Sequence, residues 1–227
     1  MFIDEWFDKS FYRDLPATYR DSYLFGQLFW THAYYPHENL ELWRPVPSPS
    51  EPTKTIAREF QLQAAGKDAF RRAYPLQTPK LETNEEFIAV RAKRRPVILM
   101  QAASSLDESD NKGFRGRLQR RRCLVAQVYG LSDVVTERVE FNPVLIDRVR
   151  KMEFPELMFL PKRSGFLEVD SMLRLDEMQS VFRPHLEPKP LALSGDLCEI
   201  LRHQFQFLIT RSAPNPYTEL REVLLKD

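Results

Sequence analysis

Residues 87–100 read FIAVRAKRRPVILM, which is two apolar runs on either side of a basic group. The runs at 87–90 and 96–100 are typical of strands, and the basic group between them is typical of a charged corner. Similar runs predict further strands at 24–30, 123–129, 134–141, 157–160 and 172–175. In the first of these, Gly26 indicates a bulge or a close backbone approach. The spacing of the runs predicts a small β barrel of about five or six strands.

The clearest helix signal lies near the C-terminus. Ser194 is a good N-cap, and Asp196 stands in the first turn, where a carboxylate is favourable. Apolar side chains then recur on one helical face, at Leu197, Ile200, Leu201, Phe205 and Leu208. We predict a helix over 194–210 that packs on the barrel, so the expected fold class is mainly β with α.

A group of prolines divides the chain. Four prolines between residues 45 and 52 predict a connector without regular structure, which lies in an insertion at about 31–86. Apolar residues at roughly helical spacing predict a short helix within 55–72 of that insertion. We therefore expect an N-terminal extension at 1–21, a barrel domain at 22–210 that carries the insertion, and a C-terminal tail at 211–227.

Composition sets limits on the partners. Among 227 residues, 33 Lys and Arg oppose 32 Asp and Glu, so a nucleic-acid contact must come from a local basic patch. The acidic first residues differ from a signal peptide, and no apolar run reaches the roughly 20 residues that span a bilayer. The expectation is a cytoplasmic protein with no membrane partner. With two cysteines, Cys123 and Cys198, and no Cys/His cluster, we expect buried thiols and neither a disulfide framework nor a metal site.

The candidate catalytic residues lie around 171–179. No phosphate-binding glycine loop, nucleophile elbow or zinc-protease motif is present. Arg174 and Asp176 are two residues apart, so on a strand both point to the same face. With Arg95 as a second cation, such a face can hold a phosphodiester, remove the proton of a ribose 2′-OH and stabilise the phosphorane without metal. The simpler alternative is a surface ion pair that contributes at most about 1 kcal/mol.

Four blocks occur in the order found in the MazF/PemK (Kid) family of toxin endoribonucleases. Residues 25–30 resemble the opening strand of the family, and 94–99, RRPVIL, resemble its RPVLV strand. Residues 171–183 resemble its segment with the acidic DQ dipeptide, and 193–210 resemble its terminal amphipathic helix. With 124–129, these blocks cover about half of the chain. Each block is degenerate by itself, and the weight lies in their order and combination.

The resemblance implies an SH3-like (CcdB/PemK-like) barrel and a homodimer. It also implies metal-independent and cofactor-free cleavage of single-stranded RNA to a 2′,3′-cyclic phosphate, restrained by a cognate antitoxin. By position, Arg95 matches the arginine of the RPV motif, while Arg174 and Asp176 match the PemK-type acid and base. The chain departs from the family at Tyr129 and Gly130, where the family has Thr-Ser, and at Glu177, where it has Gln.

Further residues are candidates for RNA contact: Arg94, Arg115, Arg117, Arg121, Tyr129 and Glu177. The arginines have the alternative of a solvated loop or strand corner, and Tyr129 has the alternative of a core aromatic. The departures favour a second function, in which an inactive barrel binds a protein or a nucleic acid, as the same fold does in gyrase-poisoning CcdB. A third function, a structural or regulatory interaction protein, rests on the large insertion.

Overall fold

A computed structural model describes residues 1–7, 11–35, 41–45, 60–64, 87–102, 122–133 and 141–226. The helices are α1 (Ile3–Phe7), α2 (Pro143–Arg150), α3 (Gly195–Thr210) and α4 (Asn215–Lys226). The strands are β1 (Tyr12–Asp14), β2 (Gln27–Tyr34), β3 (Glu41–Pro45), β4 (Phe60–Ala64), β5 (Ile88–Ala89), β6 (Ala92–Ala102), β7 (Arg122–Gly130), β8 (Leu157–Leu160), β9 (Ser171–Phe182) and β10 (Glu187–Leu193). Residues 1–33 and 94–227 form one compact unit, and residues 34–93 form a second.

The first unit is organised around a seven-stranded sheet. Its strand order is β1-β10-β2-β6-β7-β9-β8, and the pairs β1/β10, β10/β2, β6/β7, β7/β9 and β8/β9 are antiparallel. The sheet of the described residues is not closed, because β1 and β8 lie at its two edges. The expected fold class, mainly β with α, is confirmed. The strand count differs from the expected five or six because β1 and β10 each add a strand that the apolar pattern did not predict.

The central strands are buried on both faces. Ile98 of β6 and Ala126 of β7 belong to a large apolar cluster that also contains Leu197 and Leu201 of α3. Neighbouring residues of the same strands, such as Val97 of β6, belong to a smaller cluster. This alternation follows from the period of two along a strand. It explains why the buried part of β6, residues 97–100, and most of β7 are apolar in sequence.

Helix α3 confirms the sequence prediction. The hydroxyl of Ser194 accepts a hydrogen bond from the backbone N–H of Leu197 at 3.3 Å. Gly26 confirms the predicted close approach: its φ is +81°, and an added Cβ would stand 2.4 Å from Sγ of Cys198 in α3. Both cysteines are buried, as expected.

Both terminal regions of the chain pack on the sheet unit. In the predicted N-terminal extension, Ile3 and Phe11 are buried in the large cluster, and β1 pairs with β10. The predicted C-terminal tail contains α4, whose Tyr217 and Leu224 are fully buried in the same cluster. None of the helices in the described part of the chain is long and apolar enough to cross a membrane.

Two local predictions are wrong. The basic group at 91–95 is not a corner, because β6 already begins at Ala92 and contains Arg94 and Arg95. At 60–64 the predicted helix is the strand β4, which pairs with β3 in a separate three-stranded sheet of the second unit. There the alternation of Phe60, Leu62 and Ala64 with glutamines favours a strand, and pairing overrides the weak helical spacing.

Helices α2 and α4 were not predicted. The sequence does contain a signal for α2: Asn142 caps it by accepting a hydrogen bond from the backbone N–H of Val144, and Pro143 occupies its first turn. The predicted strand at 172–175 is the start of the longer β9. Most of the predicted strand at 134–141 and of the loop at 104–122 lies outside the described residues.

Candidate functional site

Three neighbouring strands, β6, β7 and β9, frame the candidate site. Val97 of β6 stands opposite Gln127 of β7, which stands opposite Arg174 of β9. Arg95 lies two residues before Val97, and Tyr129 lies two residues after Gln127, so the antiparallel register brings them together on one face. The guanidinium carbon of Arg95 is 4.2 Å from the centroid of the Tyr129 ring, and that of Arg174 is 5.8 Å from it. Two cations therefore share one aromatic ring.

An interruption of the ladder brings a second carboxylate to this place. Gln127 pairs with Arg174 and the preceding Ala126 pairs with Met178, so the β9 residues between them have no partner on β7. Such a bulge turns side chains away from the strict alternation of a strand. As a result, Asp176 and Glu177, which are consecutive, both reach Arg174.

Arg174 forms a two-point ion pair with Asp176. Its Nε donates to Oδ1 at 2.8 Å and its Nη2 donates to Oδ2 at 2.6 Å, while Nη2 is also 2.9 Å from Oε1 of Glu177. Burial alone would raise the pKa of Asp176, but the hydrogen bonds and charge of Arg174 outweigh it and the pKa is lowered. The hydrogen bond to Asp176 is the main cause of the raised pKa of Arg174. Both groups are therefore charged at neutral pH.

Tyr129 connects the second carboxylate to the core of the sheet. Its hydroxyl oxygen is 2.5 Å from Oε2 of Glu177 and 3.2 Å from Oε1 of Gln127, a side chain with no exposed surface. Burial and the hydrogen bond to Glu177 raise the pKa of Tyr129 to about 12. The hydroxyl is consequently protonated at neutral pH, and its single proton is directed mainly to Oε2 of Glu177, the closer of the two acceptor oxygens.

Five of the residues proposed from sequence thus lie together: Arg95, Tyr129, Arg174, Asp176 and Glu177. Arg94 lies elsewhere, because it forms an ion pair with Glu187 of β10 and stacks over the Trp30 ring at 5.0 Å. Arg115, Arg117 and Arg121 lie outside the described residues.

Gln127 is a member of the site that the sequence analysis missed. Its signal was a single amide in the otherwise apolar run CLVAQVY. A buried polar side chain in such a strand requires a partner, and this requirement points to a polar cluster.

The arrangement can bind an anion and exchange protons. Two guanidinium groups are suited to a phosphodiester, and the two carboxylates and the phenol can accept or relay a proton. The side chains of Arg174 and Asp176 are 27% and 39% exposed, so solvent and a ligand have access to them. In the described ranges, no group of three His, Cys, Asp or Glu side chains is placed to hold a metal ion.

The chain was compared with models of known protein families and with curated proteins. No model of a known protein family matches the chain. No curated protein matches it with significance.

Proposed function

We propose that this protein is a metal-independent endoribonuclease that cleaves single-stranded RNA at the cluster around Tyr129. The observation that carries the proposal is the close grouping of Arg95 and Arg174 about one ring, with carboxylates bound to Arg174. This grouping places positive charge for the phosphate next to groups that can accept a proton. Cleavage of RNA by its own 2′-OH requires these two elements.

In the proposed reaction, the guanidinium groups of Arg95 and Arg174 bind the non-bridging oxygens of one phosphodiester. A carboxylate of the cluster, assigned to Asp176 from the sequence, takes the 2′-OH proton, and the 2′-oxygen attacks phosphorus. Arg174 stabilises the charge on the leaving 5′-oxygen electrostatically, since a guanidinium does not release its proton near neutral pH. The bond between phosphorus and the 5′-oxygen breaks, this oxygen takes a proton from water, and Asp176 returns its proton to solvent. The products are a 2′,3′-cyclic phosphate and a 5′-hydroxyl.

The wider proposal is a toxin similar to the MazF/PemK family, with an SH3-like barrel, a homodimeric assembly and a cognate antitoxin. The antiparallel strands β6, β7 and β9 and the capped helix α3 support the fold part of this proposal.

The test is cleavage of a long single-stranded RNA in EDTA by the wild type, Arg174→Ala and Asp176→Asn. Loss of one such charged group is expected to lower the rate on the order of 100-fold or more. Arg202→Ala is the matched control, because Arg202 also stacks on an aromatic ring, Phe25, and pairs with a glutamate three residues away, Glu199, but lies on α3. Cyclic phosphate ends that persist in Arg202→Ala and disappear in the other two variants support the proposal.

The alternative function is a catalytically inactive domain that binds RNA or a protein. The observation that favours it is the pairing of Arg174 with both Asp176 and Glu177, which leaves its charge largely compensated. A wild-type protein that retains labelled RNA and produces no cleavage products would favour this alternative. Equal cleavage by all variants would overturn the site assignment.

A further inference from the structure

The hydroxyl of Tyr129 lies between two acceptor oxygens. Among the described residues, its hydrogen-bond contacts are Oε2 of Glu177 at 2.5 Å and Oε1 of Gln127 at 3.2 Å. The single proton of the hydroxyl is directed to these acceptors, and its lone pairs can accept from a ligand. A phosphate bound between Arg95 and Arg174 would lie against the same ring, because both guanidinium groups stack on it.

Asp176 is placed for a different task. Each of its carboxylate oxygens accepts a hydrogen bond from Arg174, and this ion pair lowers the pKa of the carboxylate. A lowered pKa makes a weaker base, whereas a two-point ion pair fixes the direction of a guanidinium. Asp176 is therefore better suited to hold Arg174 than to take a proton from a sugar.

We propose that Tyr129 is the catalytic residue that accepts the substrate 2′-OH proton, that Glu177 receives the proton of Tyr129, and that Asp176 is a positioning residue for Arg174. This inference rests on the proposed ribonuclease function and replaces the sequence-based assignment of the base. It extends the site by the Tyr129–Glu177 pair, at two of the three positions where the chain departs from the resembled family.

The proton movements balance. As the bond between the 2′-oxygen and phosphorus forms, the 2′-OH proton passes to Oη of Tyr129 and the phenolic proton passes to Oε2 of Glu177. The bond between phosphorus and the 5′-oxygen breaks, its electron pair leaves with that oxygen, and the oxygen takes a proton from water. Glu177 then returns its proton to solvent, so no oxidant, reductant or metal is consumed.

The direct test compares rates and pH profiles of RNA cleavage in the wild type, Tyr129→Phe, Glu177→Gln and Asp176→Asn. Tyr129→Phe and Glu177→Gln are expected to lower kcat by about 100-fold or more, in the range of general acid–base catalysis. Glu177→Gln should also remove the acidic limb of the pH–rate profile. Asp176→Asn should lower kcat but keep that limb, because it disturbs Arg174 and not the base.

A second measurement follows the relay without RNA cleavage. The pKa of Tyr129, about 12 in the wild type, is expected to fall in Glu177→Gln, because the hydrogen bond and the charge of Glu177 are lost while burial remains. A ¹³C label at Cζ of tyrosine, assigned by comparison with Tyr129→Phe, reports this pKa by NMR. An unchanged pKa would overturn the relay whether or not the protein cleaves RNA.

The outcomes separate the two proposals. If the wild type cleaves RNA and the acidic limb disappears in Asp176→Asn but persists in Glu177→Gln, Asp176 is the base, and the relay alone is wrong. If Tyr129→Phe cleaves at the wild-type rate, the relay is also wrong while the ribonuclease function stands. If the wild type produces no cleavage, both proposals fall.

Discussion

Two arginine ion pairs in this protein have nearly the same local geometry. Arg150 of α2 donates to both carboxylate oxygens of Asp4, at 2.9 and 2.7 Å, as Arg174 does to Asp176 at 2.8 and 2.6 Å. The two arginine side chains are similarly exposed, at 23% and 27%. Each also stacks on an aromatic ring, Arg150 on Phe2 and Arg174 on Tyr129.

The two pairs differ in what they connect. Arg150 and Asp4 are 146 residues apart, so their contact joins α1 to α2. Arg174 and Asp176 are two residues apart on one strand, and their contact orders no distant segment. A contact that joins distant segments serves the fold, whereas a half-buried local pair adds little to stability. Arg150 therefore stabilises the fold, and this difference supports a functional role for Arg174.

The largest effect on stability is expected where two distant segments meet without spare space. Gly26→Ala places a Cβ at 2.4 Å from Sγ of Cys198 at a φ of +81° and should cost about 2–5 kcal/mol, from the left-handed conformation and overpacking together. Gly165→Ala is the matched control, because its φ is +82° but no atom lies within 4 Å, and it should cost about 1–2 kcal/mol.

Urea unfolding followed by circular dichroism measures both free energies. The double variant Gly26→Ala/Cys198→Ala should recover part of the loss, since it removes the clashing sulfur. Equal losses in the two single variants would mean that the close approach of Gly26 to α3 contributes nothing to the effect.

The next effect tests the long-range ion pair. Arg150→Ala should lower the free energy of unfolding by about 1–3 kcal/mol, between the ranges for exposed and buried pairs, because Asp4 loses its partner in a half-buried place. Arg148→Ala is the control on the same helix: its pair with Glu153 is more exposed and its guanidinium also stacks on a ring, that of Phe154. It should cost less than about 1 kcal/mol. If Arg148→Ala loses as much stability as Arg150→Ala, a long-range ion pair contributes no more to the fold than a local one.

The smallest effect on stability is expected at the site itself. Asp176→Asn should change the free energy of unfolding by less than about 1 kcal/mol, because its pair with Arg174 is local, its side chain is 39% exposed, and Arg174 keeps Glu177 as a partner. The measurement is the same urea titration, performed on the protein used for the cleavage assay. A large loss of stability together with a loss of cleavage would mean that the pair of Arg174 and Asp176 serves the fold, as that of Arg150 and Asp4 does.

Local patterns predicted the parts of the fold that depend on local physics. The Ser194 cap and the apolar face of α3 depend only on residues close in sequence. The predicted bounds of β8 are correct, because a short apolar run between turns is typical of a strand. The missed helix α2 carried a local signal as well, in Asn142 and Pro143. The strand β4 was mistaken for a helix because its partner, β3, lies outside the local pattern.

For the candidate site, the sequence by itself determined that Arg174 and Asp176 share one face, because a strand has a period of two. It did not determine that Glu177 also contacts Arg174, because this contact depends on the register shift between β7 and β9 at the bulge. The stacking of Arg95 and Tyr129 likewise follows from the register between β6 and β7. Register is set by pairing and burial across the whole sheet, and no short stretch of sequence contains that information. The tertiary structure alone therefore decided which carboxylate stands beside the phenol.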